Sequence, residues 1–147
     1  MTRTTVERTI DAPVEMVFET VAHIDNFSKA IPRIVNVEFL STVKSGVGAR
    51  FRETRDMRGR HAVTELEVTE YVDNDRVRLV ADAGGTTWDT VFTVTPTNDR
   101  TRLTMVMDAT AHNLLAKLLN PLLKGMIKKE IEKDMDSVKA YCEGKTG

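Results

Sequence analysis

The longest helical signal in the chain spans residues 112–144 and reads HNLLAKLLNPLLKGMIKKEIEKDMDSVKAYCEG. Apolar residues recur through it at spacings of three and four, which is the pattern of one apolar stripe on an amphipathic helix. We expect the rest of the chain to cover this stripe. Its members are Leu115, Leu118, Leu119, Leu122, Met126, Ile127, Ile131, Met135, Val138 and Cys142.

Two residues within the stretch predict its shape. Pro121 is expected to break or kink the helix near Asn120, because proline removes one backbone donor and crowds the preceding turn. From Pro121 to Cys142 the helix would be about 33 Å long at the usual rise per residue. Gly144 is expected to end it, since glycine is the common C-terminal stop.

Size and composition narrow the class of protein. The length of 147 residues predicts one domain over residues 1–147. The formal charge of -1, with 29% charged residues, indicates no global attraction to nucleic acid or membrane. The one cysteine, Cys142, excludes an internal disulfide and indicates a reducing compartment. No apolar run approaches the roughly 20 residues of a bilayer span, and the first residues lack a secretory apolar core. We therefore expect a cytoplasmic protein.

The hydropathy pattern of the residues that precede the long helix predicts one strand, two short helices and six further strands. Residues 5–11 alternate as a strand, and Pro13 suits the first position of a helix that continues through Val21. Residues 24–26 are interpreted as an interruption before a second short helix at 27–31. The remaining strands are predicted at about 34–41, 47–57, 61–72, 76–83, 86–95 and 101–110, with turn residues at 45–46, 58–59, 73–75, 84–85 and 96–100.

The hairpins can be aligned from their turns alone. A two-residue loop at 84–85 pairs Ala81 with Trp88, Leu79 with Thr90 and Val77 with Phe92. The next hairpin pairs Phe92 with Met105 and Val94 with Leu103, and a turn at 58–59 pairs Phe51 with Leu66 and Ala49 with Val68. All three hairpins then place their apolar residues on one face, whereas a slip of one residue would scatter them.

Several segments resemble a known superfamily. The segments IDAPVEMVF (residues 10–18) and GVGAR (46–50), together with the closing helix, resemble the START-like, polyketide-cyclase/dehydrase (SRPBCC) superfamily. The resemblance implies an α+β helix-grip fold, in which a seven-stranded antiparallel sheet curls around a long C-terminal helix. The segments FETVAHIDNF (18–27) and AIP (30–32) are also similar to the coenzyme-Q-binding and ribosome-associated-toxin branch.

The resemblance implies a ligand cavity between the sheet and the long helix. Methionine adapts to irregular apolar shapes, so the methionines on this face suit a greasy and variable ligand. The same residues could instead fill a dry core, and the sequence leaves both interpretations open. The predicted lining is Phe51, Glu53, Arg55, Met57, Leu66, Leu79, Trp88, Thr90, Phe92, Met105, Met107, Leu115, Leu118, Leu119, Leu122 and Met126.

Glu53 and Arg55 are the two charged residues that are predicted to point toward the inward face. They share strand parity with Phe51 and Met57, and an unpaired buried charge is costly. They must therefore pair with each other, reach water at a cavity mouth or meet a ligand. They are also the candidate catalytic residues, and a structural ion pair at the rim is the alternative interpretation.

The other polar clusters are predicted to be structural. In the arginine-rich run at 50–60, Arg52 should face Glu65 and Arg50 should face Glu67 across the outer side, which argues against nucleic-acid binding. Asp89 and Asp108 should lie opposite each other on that same side. Lysines 124, 128, 129 and 133 indicate a solvated helix face. His23, His61 and His112 match no metal spacing, and no cofactor motif occurs.

Three functions remain open at this stage. The first is non-catalytic binding or carriage of a hydrophobic small molecule such as a lipid, a quinone or a polyketide-like compound. The second is a cyclase or dehydratase in which Arg55 holds an enolate-like oxygen and Glu53 moves the proton. The third is a ribosome- or protein-interaction module. We expect no nucleic-acid partner, no membrane span, and a monomer or weak homodimer.

Overall fold

A computed structural model describes residues 1–146, with side chains up to Gly144. The predicted single domain extends to Gly147, which lies outside the described residues. Within them the chain forms seven strands and three helices in the predicted order. The elements are β1 (Thr2–Ile10), α1 (Val14–Ala22), α2 (Ile24–Ala30), β2 (Ile34–Phe39), β3 (Arg50–Met57), β4 (Arg60–Val72), β5 (Arg76–Ala83), β6 (Thr86–Thr97), β7 (Arg100–Ala111) and α3 (Leu114–Thr146).

The seven strands form one antiparallel sheet in the order β1-β7-β6-β5-β4-β3-β2. Neighbouring strands are consecutive in the chain, except that β1 pairs with β7. The sheet curves around α3, and α1 and α2 close the space beside the helix. The predicted α+β helix-grip fold is confirmed.

The predicted strand register is also confirmed. Ala81 pairs with Trp88, Leu79 with Thr90, and Val77 with Phe92. The predicted pairs Phe92–Met105, Val94–Leu103 and Phe51–Leu66 are present as well. Ala49 precedes β3, and its predicted neighbour Val68 donates its amide to the Ala49 carbonyl at 2.9 Å. Because the pleat alternates, one face of each strand turns toward α3 and carries the apolar residues. Two β-bulges, between Val68 and Glu70 and between Ile34 and Asn36, were not predicted.

Two predicted helix boundaries were wrong. Residues 24–26 do not interrupt the chain, because α2 already begins at Ile24, and His23 alone separates it from α1. Asp25 lies in the first turn of α2, where the helix dipole favours a carboxylate. Gly144 does not end α3, which continues to Thr146 with Pro121 inside it.

The two halves of α3 are held differently. Its second half buries Ile131, Met135, Val138 and Cys142 in the core against β1 and α1. Its first half buries Ala116 and places Asn120, whose side chain donates to the Thr86 hydroxyl at 3.0 Å. No helix in residues 1–146 combines the length and apolarity that a bilayer span requires.

The start of α3 is fixed on the β5–β6 turn. Asn113 caps the helix, because its side-chain oxygen accepts from the Ala116 amide at 2.8 Å. Gly85 has a φ of +77°, and a Cβ there would lie 2.1 Å from the Asn113 side-chain nitrogen. The His112 amide also donates to the Gly85 carbonyl at 2.7 Å. Gly85 therefore allows both the turn and the cap.

Replacing Gly85 with alanine should destabilise the protein more than the same change at Gly84. Both glycines have positive φ, and a methyl group added at Gly84 would meet only open space. Each change costs about 1 kcal/mol in backbone strain, and Gly85→Ala should lose about 1 kcal/mol more with the Asn113 cap. Chemical denaturation of both variants measures the difference. Equal losses would show that the cap contributes nothing.

Candidate functional site

The inward face of the sheet carries the predicted lining, and coverage by the helices varies along it. Phe51, Phe92, Met105 and Met107 are buried. Another group is only half-buried although it lies on the same face: Met57, Leu66, Leu79, Trp88 and Thr90. The half-covered residues Leu79 and Thr90 are direct cross-strand partners, and Thr90 is also paired with Met107. An apolar surface at the centre of the sheet is thus incompletely covered.

The helix side of the predicted lining lies in contact with solvent. Leu115, Leu118 and Leu122 are 65%, 62% and 79% exposed, and Leu119 and Met126 are also exposed. The expectation that the sheet covers the whole stripe was therefore wrong for its first half. The physical reason is that Ala116 and Asn120 occupy the side of α3 that meets the β5–β6 turn, which turns the leucines outward.

Glu53 and Arg55 form a pair that extends to α3. The Arg55 Nε donates to the Glu53 Oε1 at 2.6 Å, and its Nη1 donates to the Asp134 Oδ2 at 2.8 Å. The carboxylates of Glu53 and Asp134 are only 10% and 12% exposed. We call these residues, together with Arg33 and Glu130, the ion clasp. It joins β3 and the start of β2 to the middle of α3.

Arg33 completes the ion clasp from the loop before β2. Its Nη2 donates to the Asp134 Oδ1 at 3.0 Å, and its Nη1 binds the Glu130 carboxylate. On the other side of the helix, the Arg8 Nε of β1 donates to the Asp136 Oδ1 at 2.6 Å. Arginines at the two edges of the sheet, Arg8 of β1 and Arg33 beside β2, therefore bind α3 within residues 130–136.

The electrostatics keep the ion clasp charged. Burial of Arg55 works against its positive charge, but the carboxylates of Glu53 and Asp134 outweigh that penalty and raise its pKa. The hydrogen bond from Arg33 lowers the pKa of Glu130 below its ordinary value of 4.5. The arrangement can fasten α3 to the sheet, and its arginines are already matched by carboxylates.

Glu130→Gln should weaken the pH dependence of stability. Because the folded-state pKa of Glu130 is lowered, its stabilisation is complete above pH 4.5 and is lost as the pH falls through the folded-state value. At pH 7 the variant should be less stable by about 1 kcal/mol, and the difference should vanish in acid. Urea denaturation from pH 7 to 3 measures it. Glu132→Gln, whose carboxylate lies 3.8 Å from Arg8, is the control and should change less.

Three members of the ion clasp, Arg33, Glu130 and Asp134, were not predicted from the sequence. Asp134 lies 79 residues from Arg55, and only the tertiary fold brings them together. A weak signal existed, because Asp134 falls beside Met135 and Ile131 on the buried side of a helix, where a lone carboxylate needs a partner.

The remaining predicted polar contacts lie on the outer face as expected. Arg52 pairs with Glu65 at 2.7 Å and also with Glu38, and Arg50 lies 3.8 Å from Glu67. Asp89 and Asp108 are cross-strand neighbours, and each is neutralised by an arginine, Arg78 and Arg3 respectively. These pairs cancel much of the positive patch that the arginine run suggested.

The three histidines are dispersed in the described part of the chain. His23 contacts the Tyr71 hydroxyl and the Ser45 hydroxyl, each at 3.3 Å, and the Glu19 carboxylate at 3.1 Å. His112 contacts the Thr87 hydroxyl. Within residues 1–146 no group of three histidine, cysteine or acidic side chains is arranged for a metal ion.

Two surface hollows differ from the predicted ligand space. One, of about 400 Å³, lies at the β6–β7 turn and is bordered by Asn98 and Arg100. The other, of about 370 Å³, crosses β3, β4 and β5, and Leu66 is the one predicted lining residue at its edge. Neither hollow lies between the inner face of the sheet and α3, so the candidate site is defined by the half-buried side chains of that face and not by a hollow.

The sequence matches the model of one protein family. The chain belongs to the polyketide cyclase/dehydrase and lipid transport family, whose model matches residues 1–143. The predicted membership of the START-like superfamily is confirmed, while the similarity to the coenzyme-Q-binding branch stays a prediction. Among curated proteins none matches the chain.

Solved structures support the same fold. The Zhui aromatase/cyclase from Streptomyces sp. R1128 is 14% identical, with a TM-score of 0.84 over 99% of this chain and 96% of that chain. TTHA0849 from Thermus thermophilus is 17% identical, with a TM-score of 0.80 over 99% and 100%. A START superfamily protein from Mycobacterium smegmatis is 15% identical, with a TM-score of 0.71 over 97% and 95%. At these identities the likeness shows the fold alone.

Proposed function

We propose that this protein, acting as one domain, binds and carries a hydrophobic small molecule between the inner face of the sheet and the first half of α3. The candidate ligands are a lipid, a quinone or a polyketide-like compound. The observation that carries the proposal is the incomplete cover over Leu66, Leu79 and Trp88, which lie on the apolar face of a curved sheet. Apolar surface left open in a concave fold is typical of a ligand site.

The way α3 is fastened supports the same proposal. Its second half is held by the core and by the ion clasp, whereas its first half is tied to the sheet mainly through Asn113 and Asn120. Local opening costs least where few apolar contacts are broken. The first half of α3 can therefore move to admit a ligand while the second half keeps the fold intact.

The chemistry of the open area suits an apolar ligand with few polar groups. Trp88 and Leu79 offer apolar surface, and Met107 is an adaptable neighbour. Thr90 supplies a hydroxyl between Leu79 and Met107, and it can hydrogen-bond one ligand oxygen. Arg55 already donates to the carboxylates of Glu53 and Asp134, so we assign Glu53 and Arg55 a structural role.

The alternative is a polyketide cyclase or dehydratase, which the family and the likeness to an aromatase/cyclase favour. In that case Arg55 would hold an enolate-like oxygen and Glu53 would move a proton. The geometry weighs against it, because Nε and Nη1 of Arg55 already donate to the carboxylates of Glu53 and Asp134. A matched arginine gives less stabilisation to a developing oxyanion. Carriage is therefore our conclusion.

Titration against the single tryptophan tests the proposal. Trp88 lies on the inner face two residues from Thr90, so ligand entry should change its emission. We expect a saturable change with at least one of oleate, a short-chain quinone and an aromatic polyketide. The absence of saturation with every one of them would contradict the proposal. A compound returned with loss of water after incubation would instead support the enzyme.

A further inference from the structure

The first half of α3 presents an apolar surface that the protein does not cover. We call it the leucine face, and its residues are all exposed. Leu122 and Leu114 are among the most exposed, at 79% and 73%. A single exposed leucine needs no explanation, but a contiguous apolar patch marks an interaction surface. The members of the leucine face are Leu114, Leu115, Leu118, Leu119, Leu122, Leu123 and Met126.

The leucine face points away from the rest of the fold. In the same turns of α3, Ala116 is buried and Asn120 bonds to Thr86, so that side of the helix meets the sheet. Leu115, Leu118 and Leu122 are three and four residues apart and share another side. The main packing of α3 in residues 1–146 is against β1, β7, α1 and α2, and strands β3 to β5 offer no comparable cover.

The charge along this half of the helix is of one sign. Residues 113–129 contain Lys117, Lys124, Lys128 and Lys129 and no acidic residue. All four lysines are exposed, and none forms an ion pair within the described residues. This contrasts with residues 130–136, where four acidic side chains accompany the single Lys133 and are paired with arginines. The leucine face is thus accompanied by four unmatched positive charges.

We propose that the first half of α3 docks on a lipid bilayer surface that carries anionic headgroups. An interfacial helix combines an apolar face that enters the headgroup boundary with lysines that bind negative lipids. A second copy of the chain fits less well, because a two-fold contact would bring two lysine-rich surfaces together. The charge of the four lysines is complementary to anionic headgroups, which favours a lipid surface over a second copy of the chain.

The docking surface goes beyond the proposed ligand binding and stands on different observations. It rests on the leucine face and its lysines, not on the inner face of the sheet. If both hold, docking places the movable half of α3 at the surface from which a hydrophobic ligand would be taken. Vesicle binding without added ligand tests docking alone, so its failure leaves the tryptophan titration unaffected.

Sedimentation with vesicles tests the docking proposal. The full chain is mixed at low salt with vesicles of phosphatidylcholine alone or with about one third phosphatidylglycerol. We expect binding to the anionic vesicles that weakens as salt rises. The double variant Leu118→Glu/Leu122→Glu should bind at least about tenfold more weakly, since it removes two apolar contacts and adds two repelled charges.

A matched double variant controls for charge and exposed apolar area. Val35 and Val47 are exposed and lie outside α3, so Val35→Glu/Val47→Glu adds the same charge elsewhere and should retain binding. Circular dichroism checks that both variants are folded. Three results would each overturn the proposal: no binding of the unaltered chain to anionic vesicles, equal losses in both double variants, or a dimer in light scattering that only Leu118→Glu/Leu122→Glu dissociates.

Discussion

Arg55→Ala should lower the free energy of unfolding by about 3 kcal/mol, a decrease in Tm of roughly 6–12 °C for a chain of this size. The change leaves Glu53 without its partner at 2.6 Å and Asp134 without its closest one at 2.8 Å. Both carboxylates are largely buried, and a buried charge without a partner is strongly destabilising. Arg33 still reaches Asp134, so the loss should lie at the low end of the usual range.

Arg52→Ala is the matched control for Arg55→Ala. Arg52 lies on the same strand but on the outer face, where it pairs with Glu38 and Glu65 in solvent. Exposed pairs contribute little, so Arg52→Ala should lose much less stability than Arg55→Ala. Thermal and chemical denaturation of both variants compare them. If Arg55→Ala left stability unchanged and abolished ligand binding, Arg55 would be a ligand anchor, and the alternative enzyme would gain support.

Thr90→Phe should weaken binding of an apolar ligand at least about tenfold, or about 1.4 kcal/mol of binding free energy. Thr90 is half-buried between Leu79 and Met107, at the centre of the proposed site. A phenyl ring there would occupy the space that we assign to the ligand. The proposal of an open space predicts that stability changes by less than about 1 kcal/mol, whereas insertion into a filled core typically costs about 1–3 kcal/mol.

Thr93→Phe provides the control for Thr90→Phe. Thr93 is on the same strand with its side chain on the outer face, between the inward residues Phe92 and Val94. It should leave both ligand affinity and stability nearly unchanged. Trp88 emission follows binding, and urea denaturation follows stability. A Thr90→Phe variant that binds normally but unfolds easily would show that the inner face is a dry core.

The sheet could be predicted closely because each hairpin carries its own register. Short turns at 58–59 and 84–85 align the strands, and period-two hydropathy then leaves one consistent face. The bulge after Val68 could not be predicted in this way. An extra residue shifts the register, but the period-two pattern is kept on each side of it. Local rules therefore predict pairing and miss its irregularities.

The orientation of α3 could not be predicted from its hydropathy. Periodicity shows that Leu115, Leu119 and Leu122 share a side, but it cannot show which side the sheet covers. The side that meets the sheet carries the small Ala116 and the polar Asn120, neither of which signals burial in a sequence. The predicted start of α2 was wrong for a related reason. Asp25 and Asn26 are of residue types that are common both in turns and in the first turn of a helix.

The candidate site was predicted only in part. The inward direction of Glu53 and Arg55 followed from strand parity, and their mutual ion pair is present. Their link to Asp134 depends on how the sheet curls around α3, which no local pattern encodes. Hydropathy patterns do not determine whether side chains or a ligand fill the space at the half-covered inner face. Ligand binding there stays a proposal.

Native mass spectrometry of freshly purified protein, followed by organic extraction, tests the ligand-binding proposal most directly. We predict a population heavier than the bare chain and the release of an apolar compound on extraction. Thr90→Phe should show less of that population, and Thr93→Phe should keep it. A bare mass for the unaltered chain, unshifted by added lipids, quinones and aromatic polyketides, would contradict the proposal and leave the inner face as core.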